Sequence, residues 1–308
     1  MPGHRHRTLR PLAAALIALA ACTAPVAGAP VVEHVGTHVW TSDMEDPDFG
    51  GFSGIEISAD GASFHAISDR AWIYWGSIQR DNAGRIRGLS LAGRAHLKDS
   101  RGSELPPGRL GDSEGLAIAD DGTIWITFEG LDRLAAYDTP DSPARRIPRP
   151  PVLAELQVNS GMEALAIAGD GTLLAVPERS GQQTRPYPVL RYDPEAQVWD
   201  VPFQIERQGR WLPTGADFGP DGMLYLLERD FRGVLGFQSR VRRFDISDAT
   251  TDTILTGEEL LSTSPLQYDN LEGISVWDDG LGLRITMISD DNFLFVQRTE
   301  LVEYRVRE

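Results

Sequence analysis

The sequence is poor in cysteine, in histidine and in basic residues, and each shortage argues against a class of protein. Its 308 residues include one cysteine, Cys22, which excludes disulfides within a monomer and cysteine-based zinc or iron–sulfur sites. Twenty-nine Lys and Arg residues stand against 45 Asp and Glu residues. A nucleic-acid binder is therefore not expected, because neutralising phosphates requires a basic surface. The histidines after the leader are only four, His34, His38, His65 and His96, and they are scattered, which argues against a zinc site.

Long apolar runs are also missing, except near the N-terminus. A positive leader with Arg5, Arg7 and Arg10 precedes residues 12–21, which are Ala, Leu and Ile only. Ten apolar residues are too few to span a bilayer, but they match the apolar region of an export signal. Loss of this leader would change the net charge from −16 to −19, because it holds three arginines and no acidic residue.

The residues after this run predict how the protein is anchored. Leu19-Ala20-Ala21-Cys22 resembles a bacterial lipobox, so we expect cleavage before Cys22 and lipidation of its thiol. The alternative site, Ala27-Gly28-Ala29, would leave Pro30 first, and proline is poorly tolerated after a cut. The expected organisation is a signal peptide at 1–21, a tether at 22–30 and a folded domain at 31–308. The expected location is the periplasmic side of the outer membrane, or the periplasm or exterior if Cys22 is not lipidated.

The body of the chain repeats one pattern five times: a small residue, an alternating apolar strand, an Asp-Gly turn and a second apolar strand. The small residues are Gly54, Gly115, Ala164, Ala216 and Gly273, at steps of 49 to 61 residues. Asp-Gly between alternating apolar runs is a strong hairpin signal. Repeats of about 50 residues with four strands each are typical of β-propeller blades.

We therefore predict an all-β protein, a single propeller of four-stranded blades. Five blades are counted, and six are possible if the 61-residue step hides a degenerate one. The fifth repeat lacks one strand, and residues 31–40 can supply it and close the ring. The less regular segments are predicted as a strand at 152–156, a loop at 145–149, strands at 198–206 and 253–261, and a weak helix signal at 257–261.

Three glutamates occupy the same position in three repeats. Glu114, Glu163 and Glu272 each stand directly before the small residue that begins an innermost strand. Carboxylates are rarely buried unless they are paired or bind a metal. Because the innermost strands meet at the channel, we expect these three side chains to converge around one axis.

Several motifs together resemble the bacterial phytase-like family, described as "esterase-like activity of phytase". They are FGGFSGI at 49–55, DSEGL at 112–116, SGMEA at 160–164, PER at 177–179, LER at 227–229, NLEGI at 270–274 and SDDN at 289–292. The resemblance extends from about residue 33 to the C-terminus. It implies a propeller, export to the cell envelope, and hydrolysis of esters or phosphate esters.

The resemblance also implies a metal. Propeller phytases hydrolyse phosphate monoesters with calcium held by channel carboxylates, and calcium takes six to eight oxygen ligands. The expected ligands here are Glu114, Glu163, Glu272, Glu178, Glu228 and Asp290.

Arginines follow three of the acids at the ends of second strands. Arg70, Arg179 and Arg229 are suited to binding phosphate or carboxylate, so they are the expected substrate-binding residues. Neighbours in a strand point opposite ways, so each acid–arginine pair can place only one member in the channel. The expected catalytic set is Glu114, Glu163, Glu272, Arg179 and Arg229.

Two functions remain open from the sequence. The first is a calcium-assisted hydrolase of small ester or phosphate-ester substrates; the second is a non-catalytic envelope propeller that binds a ligand or a protein. In the second case the acids and arginines would form salt bridges between blades. Gly111-Asp112-Ser113-Glu114-Gly115 matches G-x-S-x-G, but a strand follows instead of a helix, which argues against a serine esterase. A monomer is expected, with membrane contact only through the N-terminal lipid.

Overall fold

A computed structural model describes residues 30–41, 46–155 and 161–307. The predicted signal peptide, nearly all of the tether, Cys22 and Ser160 lie outside the described residues. Within the described ranges the regular structure is β-strand and short 3₁₀ turns, with no α-helix. No helix of the described part has the length and apolar character needed to cross a membrane.

The strands form successive antiparallel blades. The first strand of the described part is β1 (Val31–Val39), and blade 1 follows with β2 (Phe52–Ile57), β3 (Ser63–Ser68), β4 (Trp72–Arg80) and β5 (Ile86–His96). Blade 2 consists of β6 (Ser113–Ile118), β7 (Ile124–Phe128), β8 (Arg133–Tyr137) and β9 (Arg145–Arg146). The next strands are β10 (Met162–Ile167), β11 (Leu173–Pro177), β12 (Tyr187–Pro188), β13 (Leu190–Asp193), β14 (Val198–Asp200) and β15 (Gln204–Ile205). Of these, β10, β11, β13 and β14 form blade 3.

The C-terminal part completes the sheets. Its strands are β16 (Leu212–Phe218), β17 (Leu224–Phe231), β18 (Phe237–Phe244), β19 (Ile254–Leu255), β20 (Glu258–Ser262), β21 (Asn270–Asp278), β22 (Leu283–Asp290) and β23 (Glu300–Arg307). Blade 4 is β16, β17, β18 and β20, and blade 5 is β21, β22, β23 and β1. In the part of the chain that the structure describes, three 3₁₀ turns lie at Glu129–Leu131, Pro151–Glu155 and Gly233–Leu235.

The innermost strands close a ring. β2, β6, β10, β16 and β21 contact one another in this order, and β21 contacts β2. The outermost strand of blade 5 is the N-terminal β1, which pairs antiparallel with β23 from Val31 opposite Arg307 to Val39 opposite Glu300. The propeller and its closure by the N-terminal strand are therefore confirmed.

A sixth sheet lies outside this ring. It consists of β12, β15 and β19, each two residues long, and β15 pairs parallel with β19. Tyr187 and Ile205 of this sheet belong to the hydrophobic cluster shared by blades 3 and 4. The structure thus has five four-stranded sheets and one small three-stranded sheet. The long 61-residue step, where an extra blade was considered, instead contains the long β4–β5 hairpin and the segment 97–112.

Some local predictions are wrong. Residues 151–155 form a 3₁₀ turn, because prolines at 148, 150 and 151 prevent a regular ladder, and the fourth strand of blade 2 is β9 within the predicted loop. The predicted strands at 198–206 and 253–261 each divide between a blade and the three-stranded sheet. Residues 258–262 are strand β20, so the weak helix signal there misleads.

The core lies between blades. Five hydrophobic clusters each combine residues of neighbouring sheets. The small residues that mark the repeats permit this packing. A Cβ added to Gly115 would lie 2.6 Å from both the carbonyl oxygen of Glu163 and the Cβ of Leu165 in the next blade. The repeated glycine or alanine is therefore a consequence of close approach between innermost strands.

Candidate functional site

All five innermost strands share an irregularity at the same place. The pairing register shifts between Phe52 and Gly54 in β2, and at the equivalent position in the other four. The residues at these bulges are Ser53, Glu114, Glu163, Thr214 and Glu272. A β-bulge redirects side chains and interrupts the ladder. The bulges explain how a glutamate directly before a packed glycine or alanine can face the channel.

The structure brings the three glutamates together at one mouth of the channel. Burial and the charges of Glu163 and Glu272 raise the pKa of Glu114 well above its ordinary value. Burial also raises the pKa of Glu163, and Glu178 and Glu272 add to this effect. Mutual repulsion of this kind arises only between carboxylates that lie close to one another.

Five further carboxylates belong to the same group. They come from the ends of second strands and from the residue two positions before Glu114. We call the whole group the acidic ring; it consists of Asp69, Asp112, Glu114, Glu129, Glu163, Glu178, Glu272 and Asp290.

Two members of the ring have pKa values near or above neutrality. Burial and the charge of Asp112 raise the pKa of Asp69 to about 7. Burial and the charge of Glu272 raise the pKa of Asp290 to about 8. Without a bound cation these carboxyls hold protons at a pH where an ordinary aspartate is ionised.

One part of the ring has the geometry of a cation site. Asp112, Glu114 and Glu129 each present a carboxylate oxygen, and these three oxygens lie within 4.8 Å of one another. Burial raises the pKa of Asp112, while a hydrogen bond with Glu129 opposes this rise; burial and the charge of Asp112 raise the pKa of Glu129. Oδ1 of Asp69 is buried and finds no hydrogen-bond partner among the described residues. Hard divalent cations such as calcium prefer carboxylate oxygens, so these residues fit the metal that the family resemblance implies.

Gly51 provides the space for Asp69. It has a φ of +62°, and a Cβ at this position would lie 2.3 Å from Oδ1 of Asp69. The backbone N–H of Gly51 donates a hydrogen bond to Oδ1 of Asp291 at 3.0 Å. The FGGFSG segment is therefore shaped around carboxylates of blades 1 and 5.

The other part of the ring surrounds Arg229. Its Nη1 contacts Oε1 of Glu272 and donates to Oδ1 of Asn270 at 3.1 Å, and its Nη2 lies 3.4 Å from Oε1 of Glu178. Burial alone would lower the pKa of Arg229, but the charges of Glu272 and Glu163 outweigh it and raise the pKa. Arg229 therefore compensates the carboxylates of blades 3 and 5.

The predicted role of Glu228 as a channel ligand is wrong. Glu228 is completely buried on the opposite face of β17, where its Oε2 accepts hydrogen bonds from Nε of Arg240 at 2.8 Å and Nε of Arg242 at 2.7 Å. Because neighbours in a strand point opposite ways, the presence of Arg229 in the channel places Glu228 outside it.

The other two arginine–acid pairs have the opposite arrangement. Glu178 faces the ring, and Arg179 is 56% exposed while its Nε lies 2.9 Å from Oε2 of Glu178. Asp69 faces the acidic ring. The guanidinium of Arg70 lies instead over the aromatic side chain of Phe293, 3.2 Å from its centroid. Of the three predicted substrate-binding arginines, only Arg229 lies inside the ring.

Sequence reasoning missed Asp112 and Asn270 as site residues. Both lie two positions before a channel glutamate, which is the signal that could have identified them. Nδ2 of Asn270 donates to Oε1 of Glu272 at 2.7 Å. A cavity of about 280 Å³ beside the ring was missed as well; Arg179, Arg207 and Arg210 contribute to its lining.

The opposite mouth of the channel holds a second carboxyl pair that the sequence did not indicate. Glu56 and Asp217 contribute to the lining of a cavity of about 690 Å³. Burial raises the pKa of Asp217 to about 7, although it accepts hydrogen bonds from the N–H groups of Phe218 and Val276. Oγ of Ser275 donates to Oε2 of Glu56 at 3.4 Å and accepts a hydrogen bond from the backbone N–H of Ile57 at 3.0 Å.

The fold and this site define a β-propeller with an acidic ring at one channel mouth. The family profile described as "Phytase-like: Esterase-like activity of phytase" matches residues 47–293. The chain belongs to this phytase-like family. No curated protein sequence matches it.

Solved propeller structures resemble the chain at low sequence identity. The PQQ-bound aldose sugar dehydrogenase from Streptomyces coelicolor is 14% identical, with a TM-score of 0.50 over 90% of this chain and 98% of that one. The gluconolactonase XC5397 from Xanthomonas campestris is 15% identical, with a TM-score of 0.45 over 83% of this chain and 72% of that one. Virginiamycin B lyase from Staphylococcus aureus is 13% identical, with a TM-score of 0.40 over 90% and 74%. At these identities the likeness concerns the fold alone.

Proposed function

We propose that the protein hydrolyses phosphate esters or related esters at the acidic ring with the help of a bound calcium ion. The observation that carries this proposal is the set of three converging oxygens from Asp112, Glu114 and Glu129. Among the described residues none of these carboxylates forms a salt bridge, although the charge of Arg179 acts on Glu129 from a distance. Carboxylates at such spacing repel one another, and a divalent cation removes this repulsion.

Only some carboxylates of the acidic ring would bind the cation. Asp112, Glu114 and Glu129 are the proposed ligands, and Asp69 is an additional candidate because its buried Oδ1 lacks a partner. When bound, the ion would polarise the substrate oxygen and favour deprotonation of an attacking water. Glu163, Glu178 and Glu272 are compensated by Arg229 and would instead position that arginine.

The arginines would bind the anionic part of the substrate. Arg179, Arg207 and Arg210 surround the 280 Å³ cavity, and Arg179 also contacts Glu178 of the ring. Guanidinium groups match phosphate and carboxylate geometry. A substrate with a second anionic group could therefore occupy this cavity while its ester lies over the ring.

Hydrolysis of two chromogenic substrates tests this function. We expect p-nitrophenyl phosphate or p-nitrophenyl acetate to be cleaved with calcium and not with EDTA. Glu114→Gln should abolish the calcium-dependent part, whereas Glu195→Gln, an exposed position on the blade 3 hairpin, should retain it. Equal turnover by both variants, or turnover unaffected by EDTA, would refute the proposal.

A non-catalytic envelope propeller is the second candidate. The ion pairs of Arg229 with Glu272 and Glu178 favour it, because they join blades 3, 4 and 5 as structural salt bridges would. Calcium would then stabilise the ring without supporting turnover. Export and lipidation at Cys22 remain part of both proposals, and mass spectrometry of the membrane fraction tests them through the acyl mass on Cys22.

A further inference from the structure

A large apolar cavity lies at the outer side of blade 2. Its volume is about 610 Å³, and its walls come from segment 98–110, from β8 and β9, and from residues 147–149. Leu105, Leu134 and Ile147 contribute its apolar surface. Cavities of about 300 to 1,000 Å³ with apolar walls and few polar groups are typical of small-molecule sites.

The cavity exists because blade 2 has an incomplete outer strand. β9 is two residues long and pairs only with Ala135 and Ala136 of β8. The proline-rich residues that follow cannot extend the ladder. Segment 98–110 covers part of the exposed edge, with Leu105 buried, but it leaves the space beside Leu134 open.

The rim of this cavity is basic in a strongly acidic protein. It carries six cationic side chains against two carboxylates, Asp99 and Glu104; the cations are Lys98, Arg101, Arg133, Arg145, Arg146 and Arg149. Four of them pair with aspartates on the surrounding surface. Within the described ranges, Arg133 and Arg146 form no carboxylate pair; Nε of Arg146 donates to Oγ of Ser100 at 2.8 Å.

Arg133 is the most informative of these residues. Its guanidinium lies over the ring of Phe128 at 3.9 Å from the centroid, and its Nη2 donates to the carbonyl oxygen of Leu110. Its Nη1 is buried and has no hydrogen-bond partner among the described residues. Because Nη1 is enclosed by protein, a ligand in the cavity would not hydrogen-bond to it directly. The guanidinium nevertheless places a charge without a carboxylate partner at the cavity wall, and an anionic group in the cavity would compensate this charge.

We propose that this cavity binds a single-chain amphiphile with an anionic head, such as a fatty acid. The apolar chain would contact Leu105, Leu134 and Ile147, and the head would accept a hydrogen bond from Arg146 and lie close to the charge of Arg133. A purely apolar ligand would leave the charge of Arg133 uncompensated, and a highly polar anion would not fill the apolar walls. The site is separate from the acidic ring and does not depend on the proposed hydrolysis.

Titration of the cation-free protein with dodecanoate, monitored by displacement of a fluorescent naphthalene sulfonate, tests the proposal. We expect saturable one-to-one binding, weakened about tenfold or more by Arg133→Met, because the attraction between the Arg133 charge and the anionic head is lost. Dodecanol, which has the same chain without the charge, should bind both proteins equally and weakly. Arg191→Met, at an exposed arginine paired with Asp200, is the matched control and should bind dodecanoate as the wild type does.

Two further variants keep the test decisive if Arg133→Met does not fold. Arg146→Gln changes an exposed side chain and should weaken dodecanoate binding, and Leu110→Trp should block it by occupying the cavity mouth. Binding to anionic phospholipid vesicles is measured last, to distinguish a site for a free fatty acid from a surface that binds lipid membranes. Absence of saturable dodecanoate binding, unchanged affinity in Arg146→Gln and Leu110→Trp, or binding to vesicles alone would overturn the proposal.

Discussion

Glu228 and Arg229 are neighbours in β17, and their side chains point to opposite faces of blade 4. Arg229 contacts Glu272 in the channel, whereas Glu228 is buried with Arg240 and Arg242. One strand therefore supplies a cation to the acidic ring and an anion to a buried ion-pair cluster. The two residues share a motif in the sequence but serve different purposes in the structure.

Glu228→Gln should destabilise the fold strongly. Removal of the charge leaves two buried arginines without their carboxylate, and breaking a buried ion pair costs about 3–5 kcal/mol. Glu259→Gln is the matched control, because Glu259 is half exposed and lies 3.5 Å from Arg240, and it should cost less than about 1 kcal/mol. Urea unfolding measures both. If Glu228→Gln had a small effect on stability but abolished calcium binding, Glu228 would instead be a calcium ligand in the channel, and this account would be wrong.

Arg229→Gln should strengthen calcium binding and lower the stability of the cation-free protein. The substitution removes the positive charge closest to Glu272 and Glu178, so repulsion within the ring increases. Calcium affinity is expected to rise by about tenfold or more, since one unit charge a few ångströms away contributes a few kcal/mol at a moderate dielectric. Arg191→Gln, at an exposed arginine paired with Asp200 away from the ring, is the control. Equal calcium affinity in the wild type and Arg229→Gln would contradict this electrostatic account.

The cation-free protein should lose stability as the pH rises. The pKa of Asp69 is about 7 and that of Asp290 about 8 in the folded state, whereas both are near 4 when unfolded. The folded state therefore binds more protons across this range, and the free energy of unfolding falls between about pH 5 and pH 8. Thermal melting in EDTA should show this decline, and Asp69→Asn with Asp290→Asn should flatten it. Melting temperatures that rise over the same range would contradict the assignment.

Gly51→Ala should disturb the ring through contact as well as through backbone strain. Its φ is +62°, and the added methyl group would lie 2.3 Å from Oδ1 of Asp69 and 2.5 Å from Phe293. Gly209 has a φ of +65°, and a Cβ added there would have no neighbouring atom within 4 Å. Gly209→Ala therefore measures the loss of stability from backbone strain alone, about 1–2 kcal/mol. We expect a larger loss of stability in Gly51→Ala, together with weaker calcium binding. Identical effects of the two variants would show that the ring does not need this space.

The repeats made the propeller predictable from sequence. The Asp-Gly turns and alternating apolar strands identify the inner hairpins, and the position of β1 follows from the strand missing in the last repeat. The outer strands were less predictable because they are short and interrupted by proline. The small sheet of β12, β15 and β19 joins segments far apart in the sequence, which no local pattern can indicate.

The site was predictable only in part. Repeat position brought Glu114, Glu163 and Glu272 to one mouth, but it could not show which of Glu228 and Arg229 faces the channel, because strand alternation permits either phase. The bulges that redirect the glutamates leave no signal beyond the small residue that follows. Asp112 was missed because its partners, Glu114 and Glu129, come together only after folding.

Calorimetric titration with calcium tests the central claim most directly. The wild type and Glu195→Gln should bind calcium, and Asp112→Asn with Glu129→Gln should lose that binding while remaining folded, since neutralising this pair relieves repulsion in the ring. Calcium binding that survives in the double variant, or its absence from the wild type, would contradict a cation site at Asp112, Glu114 and Glu129.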